Sequence, residues 1–124
     1  MKELELISVA LRFNERINAR DLIGLGEMMT ADHVFIDSSG EVHEGRDRMI
    51  TGWSDFFTNY PDYRNNFTSV KVRKNLVIMV GFSECSYAPL DGPAIWTAKI
   101  RGGLVSEWRV YEHTEEARRK LDLK

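Results

Sequence analysis

The chain has 124 residues, 43% of them apolar, and 17 Lys and Arg against 19 Asp and Glu give a formal charge of −2. That length suits one domain spanning residues 1–124 with its own core, and the near-neutral charge, with Lys and Arg spread out, gives no electrostatic case for nucleic acid or an anionic membrane. A single cysteine, Cys85, excludes a disulfide within the chain and a thiolate-built metal site.

Met1-Lys2-Glu3-Leu4-Glu5 carries acidic groups where a secretory leader would be apolar, so a cytoplasmic protein is expected. Apolar Leu6, Ala10, Phe13 and Ile17, flanked by Leu4, Ile7 and Leu11, predict a helix from residue 3 to about 18. Its apolar stripe is broad, as on a helix lying against a sheet. Asp21 can cap a short second helix bearing Leu22, Leu25, Met28 and Met29, weakened by Gly24 and Gly26. His33 to Asp37 alternates as a strand does, ending at Ser38-Ser39-Gly40. A third helix runs from about Gly45 to Tyr60, with Met49, Ile50, Trp53, Phe56, Phe57 and Tyr60 on one stripe and Pro61 as its stop.

Strands follow: Tyr63 to Arg73, Leu76 to Tyr87, Pro93 to Arg101 and Leu104 to Glu112. The longest apolar run, Leu76 to Val80, is far too short to cross a bilayer. A Lys74-Asn75 turn pairs Arg73 with Leu76 and, counted on, Asn65 with Glu84. The loop from Ala88 to Gly92 then sets Glu84 near Trp96. Gly102-Gly103 supplies the positive φ of a two-residue hairpin turn, which pairs Trp96 with Arg109 and Ala94 with Tyr111. With unbroken alternation, Ala94, Trp96, Ala98, Val105, Glu107, Arg109 and Tyr111 share one face. That face is too polar for core and too aromatic for a solvent face, and reads as a pocket floor. Thr114 can cap a short charged helix, Glu115 to Leu121. The order is α+β, with helices gathered on one side of a curved, mostly antiparallel sheet.

Four stretches resemble the nuclear-transport-factor-2-like superfamily in its SnoaL-like and ketosteroid-isomerase-like branch. They are Arg12-Phe13 with Asn18-Ala19-Arg20-Asp21-Leu22, Thr30 to Asp37, Gly45-Arg46, and Gly103 to Tyr111. The resemblance implies a cone, a bent sheet wrapped round an apolar pocket lidded by three helices, and often a homodimer through the outer sheet face. It also implies that Asp37 matches the isomerase's proton-transfer base. The isomerase's oxyanion-binding Tyr falls on Phe13, and its late acidic residue falls on or near Trp96, which offers an indole N–H but no carboxyl. Two of three catalytic groups differ, which argues against a true ketosteroid isomerase.

Within such a pocket, burial is expected to raise the Asp37 pKa and suit it to proton transfer. Glu84 interrupts an apolar strand and, by the hairpin count, projects towards Asn65, Trp96 and Arg109. A buried carboxylate needs a partner, and Arg109 could take either Glu84 or Glu107. Tyr63 and Tyr111 are candidate hydroxyl donors, and Phe13, Trp53 and Phe82 are candidate lining. His33 and His43 could each shuttle protons; with His113 they lack ligand spacing, so neither metal nor cofactor is implied. Trp108 and Val110 are assigned to the outer face, as a dimer surface. The expected activity is cofactor-independent isomerisation, cyclisation or hydrolysis of a small apolar carbonyl or epoxide compound. The alternatives are a non-catalytic binding protein and a dimerisation module of the same fold.

Overall fold

The computed structural model describes residues 2–123. Helix α1 (Glu3–Asn18) buries Leu6, Val9, Ala10, Phe13, Asn14 and Ile17, the face expected from the apolar spacing. It is followed by α2 (Leu22–Glu27), whose first turn is closed by the Asp21 side chain accepting from the Gly24 amide at 2.9 Å. Strand β1 (Met29–Ile36) begins four residues earlier than the sequence suggests. It pairs with a short β2 (Val42–Glu44) that the sequence did not announce. Helix α3 (Arg46–Asn59) turns Met49, Trp53 and Phe57 inward at helical spacing and ends just before Pro61.

Three hairpin-linked strands and a closing one complete the sheet: β3 (Arg64–Arg73), β4 (Leu76–Glu84), β5 (Gly92–Arg101) and β6 (Leu104–Glu112). The six strands run in the order β2-β1-β6-β5-β4-β3, antiparallel except where β1 lies parallel to β6. Both two-residue turns form as read: Lys74 and Asn75 take φ of 49° and 66°, Gly102 and Gly103 60° and 81°. The architecture is the expected α+β cone, with α1 and α3 over the concave face.

Two bulges correct the expected register. In β3, Thr68 is an extra residue, since Ser69 pairs with Val80 but Phe67 with Gly81. Asn65 therefore faces Ser83, and Glu84 pairs with Arg64 on the opposite side of the pleat. In β6, Ser106 is the extra residue: Ile100 pairs with Val105, but Lys99 with Glu107 and Trp96 with Val110. Every side chain from Glu107 to Tyr111 is consequently on the face opposite to the one expected.

The concave face is one core, in which Val77, Met79, Trp96, Ala98 and Trp108 meet α1 and α3. On the convex face Ile78 and Ile95 pack with Ala117 of α4 (Glu115–Lys120) and with Leu121 and Leu123 just after it. Trp108 and Val110 are thus inner residues rather than the outward dimer surface anticipated, and the C-terminal segment covers that part of the outer face itself.

Candidate functional site

Between α3 and the concave face of the sheet lies an apolar cavity of about 380 Å³. β1 contributes Phe35, α3 contributes Met49, Trp53 and Phe56, and β5 and β6 contribute Trp96, Trp108 and Val110. Tyr63 and Leu90, from the segments flanking β3 and β5, close one end. Asp37, Ser38, His43 and Arg48 supply the polar edge. Aromatic packing fixes the wall: Trp53 has Phe35, Phe56 and Phe57 ring centroids at 5.9, 5.5 and 5.5 Å. Phe67 lies 5.0 Å from Trp96.

Asp37 sits where β1 runs into the β1–β2 turn, a place its own chemistry helps to build. Its Oδ1 accepts from the Ser39 amide at 3.0 Å, the Ser39 hydroxyl at 2.6 Å and the Glu41 amide at 3.0 Å. Oδ2 lies 3.2 Å from His43 Nε2. Desolvation pushes its pKa upward, but the bonds from Ser39, His43 and Glu41 together outweigh it and leave the pKa below the ordinary value. The expected elevation is therefore corrected: Asp37 is a carboxylate at neutral pH. Since an ionised carboxylate only accepts, His43 Nε2–H is the donor between them. Oδ2 carries that one bond and keeps a lone pair.

Tyr63 is the second polar group of the wall, with Asn65, Trp96 and Ser83 around its hydroxyl. Burial pushes its pKa up to about 12, so it stays protonated. Trp53 and Trp96 are 7% and 1% exposed; the Trp96 indole adjoins the Tyr63 hydroxyl, and the Trp53 Nε1 is buried without a hydrogen-bond partner in the protein. Asp37, Glu41 and His43 also bring three possible ligand atoms within 4.8 Å of one another, so a folded chain does converge donors that the sequence leaves apart.

Of the eleven residues singled out from sequence, Asp37, Trp53, Tyr63 and Trp96 line this cavity. Phe13 is deeper, filling the core against Trp108 at 4.8 Å rather than facing the cavity. Asn65 is structural: its amide and carbonyl bind the Asn18 side chain at 2.9 and 3.0 Å, and its Nδ2 donates to Asn14 Oδ1 at 3.0 Å, tying β3 to α1. The bulges remove the rest from the main cavity. Glu84 is exposed and accepts from Asn66 Nδ2 at 2.7 Å, and Phe82, on the same convex side, is 41% exposed. Glu107 pairs across the strands with Lys99 at 3.6 Å. Arg109 stacks its guanidinium 4.4 Å from the Tyr111 ring centroid and meets neither carboxylate in an ion pair. Tyr111 borders only a smaller cavity of about 140 Å³ beside Leu90 and Glu112.

His43 and Arg48 are cavity-edge residues that the sequence reading weighs lightly or leaves aside. The signal for His43 was its position just past a turn that returns the chain to Asp37. His33, by contrast, is core: it is 0% exposed, with Nδ1 2.7 Å from the Val105 carbonyl.

Comparison with known proteins agrees with this architecture. None of the curated proteins matches the chain. Among solved structures, an LEH-like epoxide hydrolase of M. tuberculosis is 14% identical, with 87% of this chain and 82% of that one covered at a TM-score of 0.75. A candidate SnoaL-like polyketide cyclase from Shewanella putrefaciens CN-32 is 15% identical, covering 100% and 88% at a TM-score of 0.77. A candidate ketosteroid isomerase from Kribbella flavida DSM 17836 is 14% identical, covering 86% and 76% at 0.71. At such identities the likeness is one of fold. The SnoaL-like domain profile matches residues 10–110, and with it this chain belongs to the SnoaL-like domain family.

Proposed function

We propose that the chain is a cofactor-independent enzyme that moves a proton on a small, largely apolar carbonyl compound held in the cavity, with Asp37 as the proton-transfer group. The observation that carries this reading is the ionised Asp37 at the edge of an aromatic cavity, with His43 on its second oxygen. A carboxylate below its ordinary pKa is a base and not an acid. It supports abstraction of a proton next to a carbonyl over protonation of an epoxide oxygen as the first step.

In that step the C–H bond breaks, its proton passes to Asp37, and the electron pair moves onto the carbonyl oxygen as an enolate. Return of the proton to another carbon gives isomerisation, while attack of the enolate carbon on a second carbonyl, whose oxygen then takes the proton back from Asp37, gives ring closure. A hydrolytic version loses support from the register, since neither Glu84 nor Arg109 lines the cavity.

The test is hydrogen–deuterium exchange next to the carbonyl of 2-tetralone in D₂O, followed by proton NMR. The protein is expected to accelerate exchange, and Asp37→Asn to remove about 100-fold or more of that acceleration, the usual share of a positioned base. Binding without acceleration would instead support a non-catalytic binding protein. Equal rates for wild type and Asp37→Asn would sink the assignment of the base.

A further inference from the structure

A smaller cavity of about 140 Å³ adjoins the main one, and Ser38, Tyr63, Leu90, Trp96 and Val110 line both. A side chain that borders two cavities stands between them. Tyr63 and Trp96 are buried members of the core, Val110 is fixed within β6, and Ser38 is short. Leu90 is the long aliphatic member of the set that comes from a loop, the one-turn helix Ala88–Leu90 between β4 and β5.

That loop is tied at both ends. The Ser83 hydroxyl donates to the Leu90 carbonyl at 2.5 Å, and the Leu90 amide donates to the Tyr87 carbonyl at 2.9 Å. Asp91 Oδ1 accepts from the Cys85 amide at 3.0 Å, and Asp62 Oδ2 from the Ser86 amide at 2.9 Å. Tyr87 stacks on Tyr60, just past α3, at 5.3 Å. The Leu90 side chain packs against the concave core. Held in this way, it is a wall rather than a flap.

We infer that Leu90 is the specificity-determining wall of the candidate site, limiting ligands to those that fit the main cavity, and that the annex behind it is a latent subsite for a hydrogen-bond-donating end such as a hydroxyl. The inference rests on the proposed use of the main cavity as the substrate site, and adds which side chain sets ligand length. Protein interiors are close-packed, so a group added to the ligand at this wall must displace Leu90 and the loop that holds it. Chemistry changes beyond the wall. The annex is edged by the carboxylates of Asp91 and Glu112, neither of which is in an ion pair among the described residues. Carboxylates accept hydrogen bonds and do not donate them. An alkyl end therefore gains little there, whereas a hydroxyl end finds partners.

The experiment measures affinities of 2-tetralone, 6-propyl-2-tetralone and 6-(2-hydroxyethyl)-2-tetralone by calorimetry for wild type, Leu90→Ala and Leu90→Met. The two substituted ketones match in length and differ in a terminal CH₃ or OH. Wild type is expected to bind both about tenfold or more weakly than 2-tetralone. Leu90→Ala should bring the hydroxyethyl ketone to within about twofold of 2-tetralone and leave the propyl ketone about threefold or more behind it. Leu90→Met, of similar volume, should keep the wild-type order. The wild-type order tests the wall even if Leu90→Ala does not fold.

Equal binding of the three ketones by wild type, or an unchanged order in Leu90→Ala, would overturn Leu90 as the wall. A propyl ketone that binds Leu90→Ala as well as the hydroxyethyl one would overturn the annex as a hydroxyl subsite. Exchange through Asp37 is read separately, with 2-tetralone. Exchange without a length limit would remove only this inference, and a length limit without exchange would remove only the proton transfer.

Discussion

His33 shows what full enclosure does to one titratable ring. Its Nδ1 faces the Val105 carbonyl at 2.7 Å, so that nitrogen carries the proton, and Nε2 is left buried without a donor. Phe13 lies 5.8 Å away, ring to ring. Burial depresses the His33 pKa, against smaller opposing effects of the Val105 carbonyl and the Asp32 charge. Below about pH 6.5 the unfolded chain takes up a proton here that the folded chain refuses. Stability therefore rises with pH through that region and falls on acidification towards the folded pKa. His33→Asn keeps a donor near the Nδ1 position and removes the titration. Thermal melts between pH 7.5 and 5.5 are expected to show a falling midpoint in wild type and a flatter, lower profile in the variant. An unchanged slope would mean that His33 does not carry the acid sensitivity.

At the level of elements, the strands and helices were largely legible, and the orientation of their side chains was not. Apolar periodicity located α1 and α3 to within a residue or two, and both tight turns follow from their residues. What failed was parity. A hairpin turn fixes pairing only as far as the first bulge, and Thr68 and Ser106 each insert one residue without any marker in their own chemistry. Hence Asp37, Trp53, Tyr63 and Trp96 do line the cavity, while Glu84, Glu107 and Arg109 lie on the face opposite to the one the turn count predicts. One marker did exist at Gly81, opposite Phe67. A Cβ there would lie 1.9 Å from the Asn66 carbonyl oxygen, a backbone atom that can yield only if the bulge moves. Gly81→Ala is accordingly expected to cost about 1–3 kcal/mol, read as a lower urea midpoint. A midpoint equal to wild type would show that the bulge adapts freely.

For the molecule as a whole, a single sheet must satisfy two faces, and different parts of the chain do so. The concave face is closed by α1 and α3, and the cavity edged by Asp37 lies between α3 and the sheet. The convex face over Ile78 and Ile95 is closed by Ala117, Leu121 and Leu123, which follow the Thr114 cap. The closure is short, so few residues carry it. Burying a leucine side chain contributes about 1.5–3 kcal/mol, and both Leu121 and Leu123 are 8% exposed. Ending the chain at Thr114 removes both and uncovers the two isoleucines along neighbouring strands, an apolar strip of the kind that drives association. Such a truncation is expected to lose on the order of 3 kcal/mol of stability and to sediment at a higher apparent mass than the intact chain at equal concentration. The concave side should be affected less, because none of the three C-terminal residues lines the main cavity. Binding of 2-tetralone at a temperature where the truncated chain is still folded separates the two faces. Retained affinity would show that the cavity does not depend on the convex packing. Loss of binding without unfolding would show instead that convex packing sets the curvature that the cavity requires.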